Sequence, residues 1–190
     1  TVLDSVDTKF GVREYAFDPE KGFFLNGVSY PLHGVSRHQD RAGVGNALTK
    51  EMHEGDVELI MSMGGNSILC EDYQHDQYFY DLCDEKGIVV WAEIPYITVH
   101  MPGGRANTLS QMRELIVQNY NHASIICWAL SNEITLQGVT EDLLENHKLL
   151  NDLVHRMDPH RVSAMANLFL LETDSAMVSL PDICGYNLYY

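Results

Sequence analysis

The stretch NHASIICWALSNE, residues 121 to 133, decides how the chain is read. From Ser124 to Leu130 it is apolar on both alternating faces, the pattern of a strand covered by helices on one side and by packed side chains on the other. It then stops on Asn132 and Glu133, an amide and a carboxylate set side by side where a buried strand ends.

Five other runs share this character: YPLHGVS (30 to 36), NSILCED (66 to 72), IVVWAEI (88 to 94), RVSAMANL (161 to 168) and DICGYNLYY (182 to 190). The segments between several of them carry apolar residues at helical spacing. Val57, Ile60 and Met61 follow a possible N-cap at Thr49; Tyr78, Phe79, Leu82 and Cys83 end at Gly87. Met112, Leu115, Ile116 and Tyr120 form a third stripe, and Leu143, Leu144, Leu150, Leu153, Val154 and Met157 a fourth, between Thr140 and Pro159. Strands alternating with helices predict a parallel α/β sheet. Ahead of it, FGVREYAFDPEKGFFLNGV (10 to 28) has turn chemistry at Asp18 to Gly22 and at Asn26-Gly27. It predicts an antiparallel hairpin that caps the N-terminal end of the alternating units. The expected organisation is one domain, with the hairpin in residues 1–29 and six βα units in residues 30–190.

Composition narrows the ligand. Twenty-seven acidic against twelve basic residues give a formal charge of -15, which repels nucleic acid and anionic membrane surfaces and favours a neutral or small-molecule ligand. Cys70, Cys83, Cys127 and Cys184 are scattered without CxxC pairs and read as buried free thiols. No apolar run approaches the ~18 residues of a membrane span, and TVLDSVDTKFG lacks the pattern of a signal peptide. A cytoplasmic setting is the expectation. Nine histidines show no HxH or HExxH spacing, so neither a metal nor a cofactor is expected; His100, His122 and His147 read as surface or capping residues.

In parallel α/β sheets functional side chains gather at the C-terminal ends of strands, where loops vary over a rigid scaffold. The candidates are Arg37, His38 and Asp40; Glu71 and Asp72; Glu93; Asn132 and Glu133; Asn167; and Asn187 with Tyr189. A carboxyl at the lip of an apolar strand loses hydration, which favours its protonated form, and a neighbouring amide binds hydroxyls without adding charge. Glu133 and Asn132 therefore suit protonation of a leaving oxygen on a polyhydroxylated substrate.

KFGVREYAF, GFFLNG, HGVSRHQD, YDLCDEKGIVVWAEI and QNYNHASIICWALSNE resemble, in this order, the catalytic TIM-barrel domain of glycoside hydrolase family 2, the β-galactosidases and β-glucuronidases. The resemblance implies a retaining glycosidase with Glu133 as proton donor. Asn132, Arg37, His38, Asp40, Asp72, Asn187 and Tyr189 would line the substrate, and Glu93 and Trp128 would support the site. It places the nucleophile, a glutamate, at the end of a seventh strand. Six strand candidates are present, so the expectation is a partial barrel that lacks its nucleophile, has little activity alone, and can self-associate through its open edges. The ending GYNLYY resembles the β-galactosidase branch, which implies terminal β-D-galactosides as substrate; a β-glucuronidase or a non-catalytic carbohydrate-binding barrel are the alternatives. Two positions depart from the family pattern: Leu69 stands where an arginine is common, and Asp72 where a histidine is. Some relatives hold magnesium beyond strand three, but the loop IPYITVHMPGG offers His100 without a matching acid.

Overall fold

The computed structural model describes residues 2–189; Thr1 and Tyr190, the last position of the sixth expected strand, lie outside the described residues. The chain opens with β1 (Tyr15–Asp18), β2 (Gly22–Leu25) and β3 (Val28–Ser29), an antiparallel sheet of three strands rather than a simple hairpin. The third strand follows from Asn26 and Gly27, whose φ values of 51° and 75° build a two-residue turn that carries the chain back along β2.

Six parallel strands follow in chain order across one sheet: β4 (Gly34–Arg37), β5 (Ser67–Cys70), β6 (Val89–Glu93), β7 (Ile125–Asn132), β8 (Val162–Leu168) and β9 (Ile183–Asn187). The sheet curls into a half-barrel. Helices α1 (Lys50–Ser62), α2 (Gln77–Lys86), α3 (Arg105–Asn119) and α4 (Glu141–Met157) fill the connections up to β8. The link from β8 to β9 is made of turns, so that unit has no helix, contrary to the six βα units expected.

Helix limits follow from local chemistry. Asp76, not singled out in the sequence, caps α2 by accepting from the Tyr78 amide at 2.8 Å, and Gly87 ends it with φ 70°. Thr140 caps α4 by accepting from the Leu143 amide, with Glu141 and Asp142 in the first turn and His155 and Arg156 in the last, all favourable to the helix dipole. Thr49 begins α1 without a side-chain cap bond. Two stripes differ from their sequence reading. Met61 is exposed and His53 takes its place in α1, while Tyr120 lies past the end of α3 and is also exposed.

The core has two layers. Ile68, Cys70, Val90, Ala92, Trp128 and Met165 face outward against Val57, Phe79, Met112, Leu115, Leu150 and Val154 of the helices. Phe23, Val89, Ile126, Cys127, Ala129 and Ala164 form a smaller inner layer with Tyr15, Trp91 and Ile183. The antiparallel sheet closes this layer from the N-terminal ends of the strands, where the Tyr15 hydroxyl donates to the carbonyls of Ile126 and His160, both at 3.0 Å. Truncating a fully buried Leu150 to alanine would cost about 2–5 kcal/mol. Among the described residues the cysteines are free thiols, and no helix is long and apolar enough to cross a membrane.

Candidate active site

Alternation along each strand decides which polar ends reach the mouth. In β4, Val35 packs against the outer layer, so Arg37, two residues on, points outward as well. Its guanidinium donates to Asp56 Oδ2 from Nη2 at 2.7 Å and from Nε at 3.1 Å, meets the Nδ1 atoms of His53 and His75, and stacks over Phe79. Arg37 is therefore a buried strut between sheet and helices, not a substrate residue. Burial and the Arg37 charge hold His75 down to about 3, in its neutral form.

The same rule moves two others. Trp128 faces the outer layer and donates from Nε1 to Asp158 Oδ2 at 3.0 Å, and Asp158 follows α4 at the opposite end of the strands from the mouth. It does not support the site. Asn167 is likewise turned outward and buried, donating to Cys184 Sγ at 2.8 Å.

β7 breaks the alternation twice. A register shift against β6 brings Ile126 and Cys127 both into the inner layer. A second shift, between Ala129 and Asn132, sets an extra residue of β7 against β8. Leu130 faces the helices, Ser131 bonds His147 of α4 at 2.8 Å, and Asn132 turns inward. Such bulges re-aim side chains at the ends of sheets. Glu133 completes the turn with φ 48°, a left-handed conformation rare for a glutamate.

The result is a connected polar mouth. Glu133 Oε1 accepts from Asn187 Nδ2 at 2.9 Å and from the Tyr189 hydroxyl at 2.5 Å, and among the described residues Oε2 has no hydrogen-bond partner. Asn187 Nδ2 also donates to Asn132 Oδ1 at 2.9 Å, and Asn132 Nδ2 donates to Asp72 Oδ1 at 3.0 Å. Below them Glu93, fully buried, accepts from the Asp72 amide at 2.9 Å and from Trp91 Nε1 at 2.8 Å. Burial, reinforced by the charges of Asp72 and Glu71, pushes the Glu93 carboxyl up to about 8 against those two bonds. His38 stands on the rim, 3.8 Å from Glu71, and Asp40 is exposed in the loop after β4; neither bonds Glu133.

Sequence reasoning missed the residues that hold Asn132 from the side. The loop after β6 lies along the end of β7, with the Asn132 amide donating to the Tyr96 carbonyl at 3.1 Å and the Thr98 amide to the Asn132 carbonyl at 3.0 Å. The Tyr96 ring stacks on His147 and its hydroxyl meets His100, which pairs with Asp142 of α4 at 2.6 Å. Asp142 is the acid that His100 lacked within its own loop. His147 is not at the surface: it is fully buried, donates from Nδ1 to the Leu143 carbonyl, and is held down to about 4 by burial. His122 pairs with Asp84 at 2.7 Å, and Asp84 also accepts from the Ser124 amide. The Thr98 φ of 64° would have been invisible in any periodicity.

Among the described residues two groups bring ligand atoms within 4.8 Å of one another: His38 with Glu71 and Asp72, and Asp81 with Asp84 and His122. Only the first lies at the mouth. Beneath the mouth the half-barrel encloses an apolar space of about 350 Å³ lined by Ser36, Leu69, Trp91, Cys127 and Ile183.

Residues 19–184 match the family described as "Glycosyl hydrolases family 2, TIM barrel domain". A β-glucuronidase of Bacteroides fragilis is 48% identical over 177 residues, covering 87% of this chain and 25% of that protein. A β-galactosidase of Thermoanaerobacterium thermosulfurigenes is 34% identical, covering 83% and 22%. The crystal structure of an FMN-binding β-glucuronidase from Facaelibacterium prausnitzii L2-6 superposes with a TM-score of 0.92 at 44% identity, covering 95% of this chain and 28% of that one. The chain thus spans about a quarter of the length of the curated relatives it matches.

Proposed function

Since the chain belongs to glycoside hydrolase family 2, we propose that it carries the acid/base half of a retaining glycosidase site that hydrolyses terminal β-linked sugars, glucuronides ahead of galactosides. The observation that carries the reading is the state of Glu133. Among the described residues the donors at its carboxyl, Asn187 and Tyr189, converge on Oε1, which leaves Oε2 as the oxygen that can carry the transferred proton. A leaving glycosidic oxygen above Oε2 would take that proton, and the same oxygen of Glu133 would then draw a proton from the incoming water. Asn132 is fixed by its neighbours, so its orientation is set before substrate arrives and no reorganisation is needed.

Retention also needs a second carboxylate about 5–5.5 Å from the first. The family resemblance places it on a seventh strand, and six strands of the barrel sheet are described. The 190-residue chain alone is therefore expected to show little turnover, because a lone acid/base contributes only ~10²- to 10⁴-fold. The higher identity to a β-glucuronidase, 48% against 34% for a β-galactosidase, favours the glucuronide. GYNLYY is a poor guide to the sugar, because its Asn187 and Tyr189 contact the acid/base itself.

The test compares aryl β-D-glucuronide and aryl β-D-galactoside as substrates of the longest polypeptide that carries this sequence, with and without Glu133→Gln. We expect kcat/KM to favour the glucuronide, and Glu133→Gln to lower turnover of the preferred substrate by about 10²- to 10⁴-fold. Preference for the galactoside would reassign the sugar, and turnover untouched by Glu133→Gln would remove Glu133 from the chemistry.

A further inference from the structure

Asp72 lies at the mouth, where an acidic side chain would ordinarily be read as a ligand for sugar hydroxyls. Its contacts describe a different task. The residue sits just past β5 with φ 68°, a left-handed conformation that aspartate tolerates better than most side-chain-bearing residues. It is held there from below, because its amide donates to Glu93 Oε2 at 2.9 Å while Glu93 Oε1 is occupied by Trp91 Nε1 at 2.8 Å. Glu93 is fully buried and comes from the neighbouring strand β6, so the clamp is part of the inner wall rather than of the loop.

Above, Asp72 Oδ1 receives Asn132 Nδ2 at 3.0 Å. An ionised carboxylate only accepts, so it forces the NH₂ end of the Asn132 amide toward β5 and the carbonyl end toward β9. Asn187 must then present its NH₂ group to that carbonyl, and the same nitrogen spends its second hydrogen on Glu133 Oε1 at 2.9 Å. Each link has one permitted polarity once the first is fixed. With a residue that also donates at position 72, the Asn132 amide could turn over, and Asn187 would lose its reason to face Glu133 with hydrogens.

We propose that Asp72, clamped by Glu93, is a positioning residue that sets the polarity of the Asn132–Asn187 relay and so fixes which oxygen of Glu133 is free to transfer the proton. The inference rests on Glu133 being the acid/base. It assigns to Asp72 no contact with the sugar, and to Glu93 no contact with Glu133.

The test uses the dependence of rate on the leaving group. Acid catalysis matters most when the leaving group is a poor one, so loss of Glu133 should slow a phenyl or alkyl glycoside far more than a dinitrophenyl glycoside. In the longest polypeptide carrying this sequence, Asp72→Ala should show the same slope in weaker form, with about a tenfold or greater fall in kcat/KM for the poor leaving group and about threefold or less for the good one. Asp72→Asn, which donates as well as accepts and so no longer fixes which way the Asn132 amide faces, should lose rate on the poor leaving group as Asp72→Ala does. Equal losses on both substrates, or a rise in KM alone, would make Asp72 a sugar ligand and overturn the proposal. So would Asp72→Asn keeping the wild-type rate on the poor leaving group. If Glu133→Ala itself showed no dependence on leaving group, the proposed function would fail first, and the two failures are thereby distinct. A second readout needs no turnover: in the 190-residue chain, exchange of the Asn132 side-chain amide protons should quicken in both Asp72→Ala and Asp72→Asn, and unchanged exchange in both would also overturn the proposal.

Discussion

Arg37 and Asn132 both end a strand of the same parallel sheet, and they do opposite things. Arg37 continues the regular alternation of β4 and is carried into the helix layer, where Asp56, His53, His75 and Phe79 surround it. Asn132 follows a bulge in β7, which turns it inward to meet Asp72 and Asn187. The position of a residue at a strand end says that it is near the mouth; the parity of the strand, and whether a bulge resets that parity, says whether it reaches it. In β4 the regular alternation commits the terminal polar group to joining the layers, whereas in β9, equally regular, the opposite parity brings Asn187 inward. In β7 the bulge resets the parity, and the residue after it, Glu133, lies in left-handed backbone.

The largest effect that could break this contrast is on stability. Arg37→Ala removes a buried guanidinium that joins Asp56, His53, His75 and Phe79, while Asp56 keeps Arg41, so it should destabilise the chain by about 2–3 kcal/mol in urea unfolding. Glu133→Ala, at the rim, should change stability by about 0.5 kcal/mol or less. If the two were equally mild, Arg37 would not be the strut described.

A second test concerns the buried titratable groups on the two sides of the sheet. His75 and His147, in the outer layer, are held neutral down to about 3 and about 4, below the ordinary 6.5. The unfolded chain binds those protons first, so their contribution is complete above pH 6.5 and is lost as pH falls toward 4. Glu93, inside, is held protonated up to about 8 against an ordinary 4.5, so its contribution is complete below pH 4.5 and is lost as pH rises toward 8. Each group changes stability by about 1.4 kcal/mol per pH unit within its window. Two histidines outweigh one glutamate between 4.5 and 6.5, and the glutamate acts alone above that, so stability should peak near pH 6.5. Glu93→Gln should flatten the fall between 6.5 and 8, and an unchanged fall would show that Glu93 is charged in the folded protein.

The smallest effect is the most specific to β7. Glu133→Gly should stabilise the chain by about 1 kcal/mol relative to Glu133→Ala, because glycine relieves the positive φ. The same comparison at Asp40, an exposed loop residue, should show no such gain. A stabilisation at both sites, or at neither, would mean that the turn after β7 stores no strain.

Much of this was legible in the residues. The six apolar runs became the six strands, since a run that is apolar on both faces has few other places to go. Asn132, Glu133, Asn187 and Asp72, which the strand-end rule names as candidates, are joined by hydrogen bonds in the fold. The orientation of Arg37 was also available from the parity of Val35, though only once Val35 is known to face the helices. Trp128 and Asn132 could not be separated in this way, because the two bulges of β7 depend on how its neighbours are paired and leave no mark in a single sequence. The Tyr96, His100, Asp142 and His147 cluster was hidden for a related reason: its members come from one loop and one helix that meet only in the folded chain.

The most direct measurement of the central claim is chemical rescue of Glu133→Ala in the longest polypeptide that carries this sequence. With an activated aryl glycoside the glycosyl intermediate still forms, and without the general base water attacks it slowly, so added azide should restore turnover and yield the β-glycosyl azide. If azide gives no rescue, or the product is the α-azide, Glu133 is not the acid/base and the bulged end of β7 is not the catalytic end of the strand.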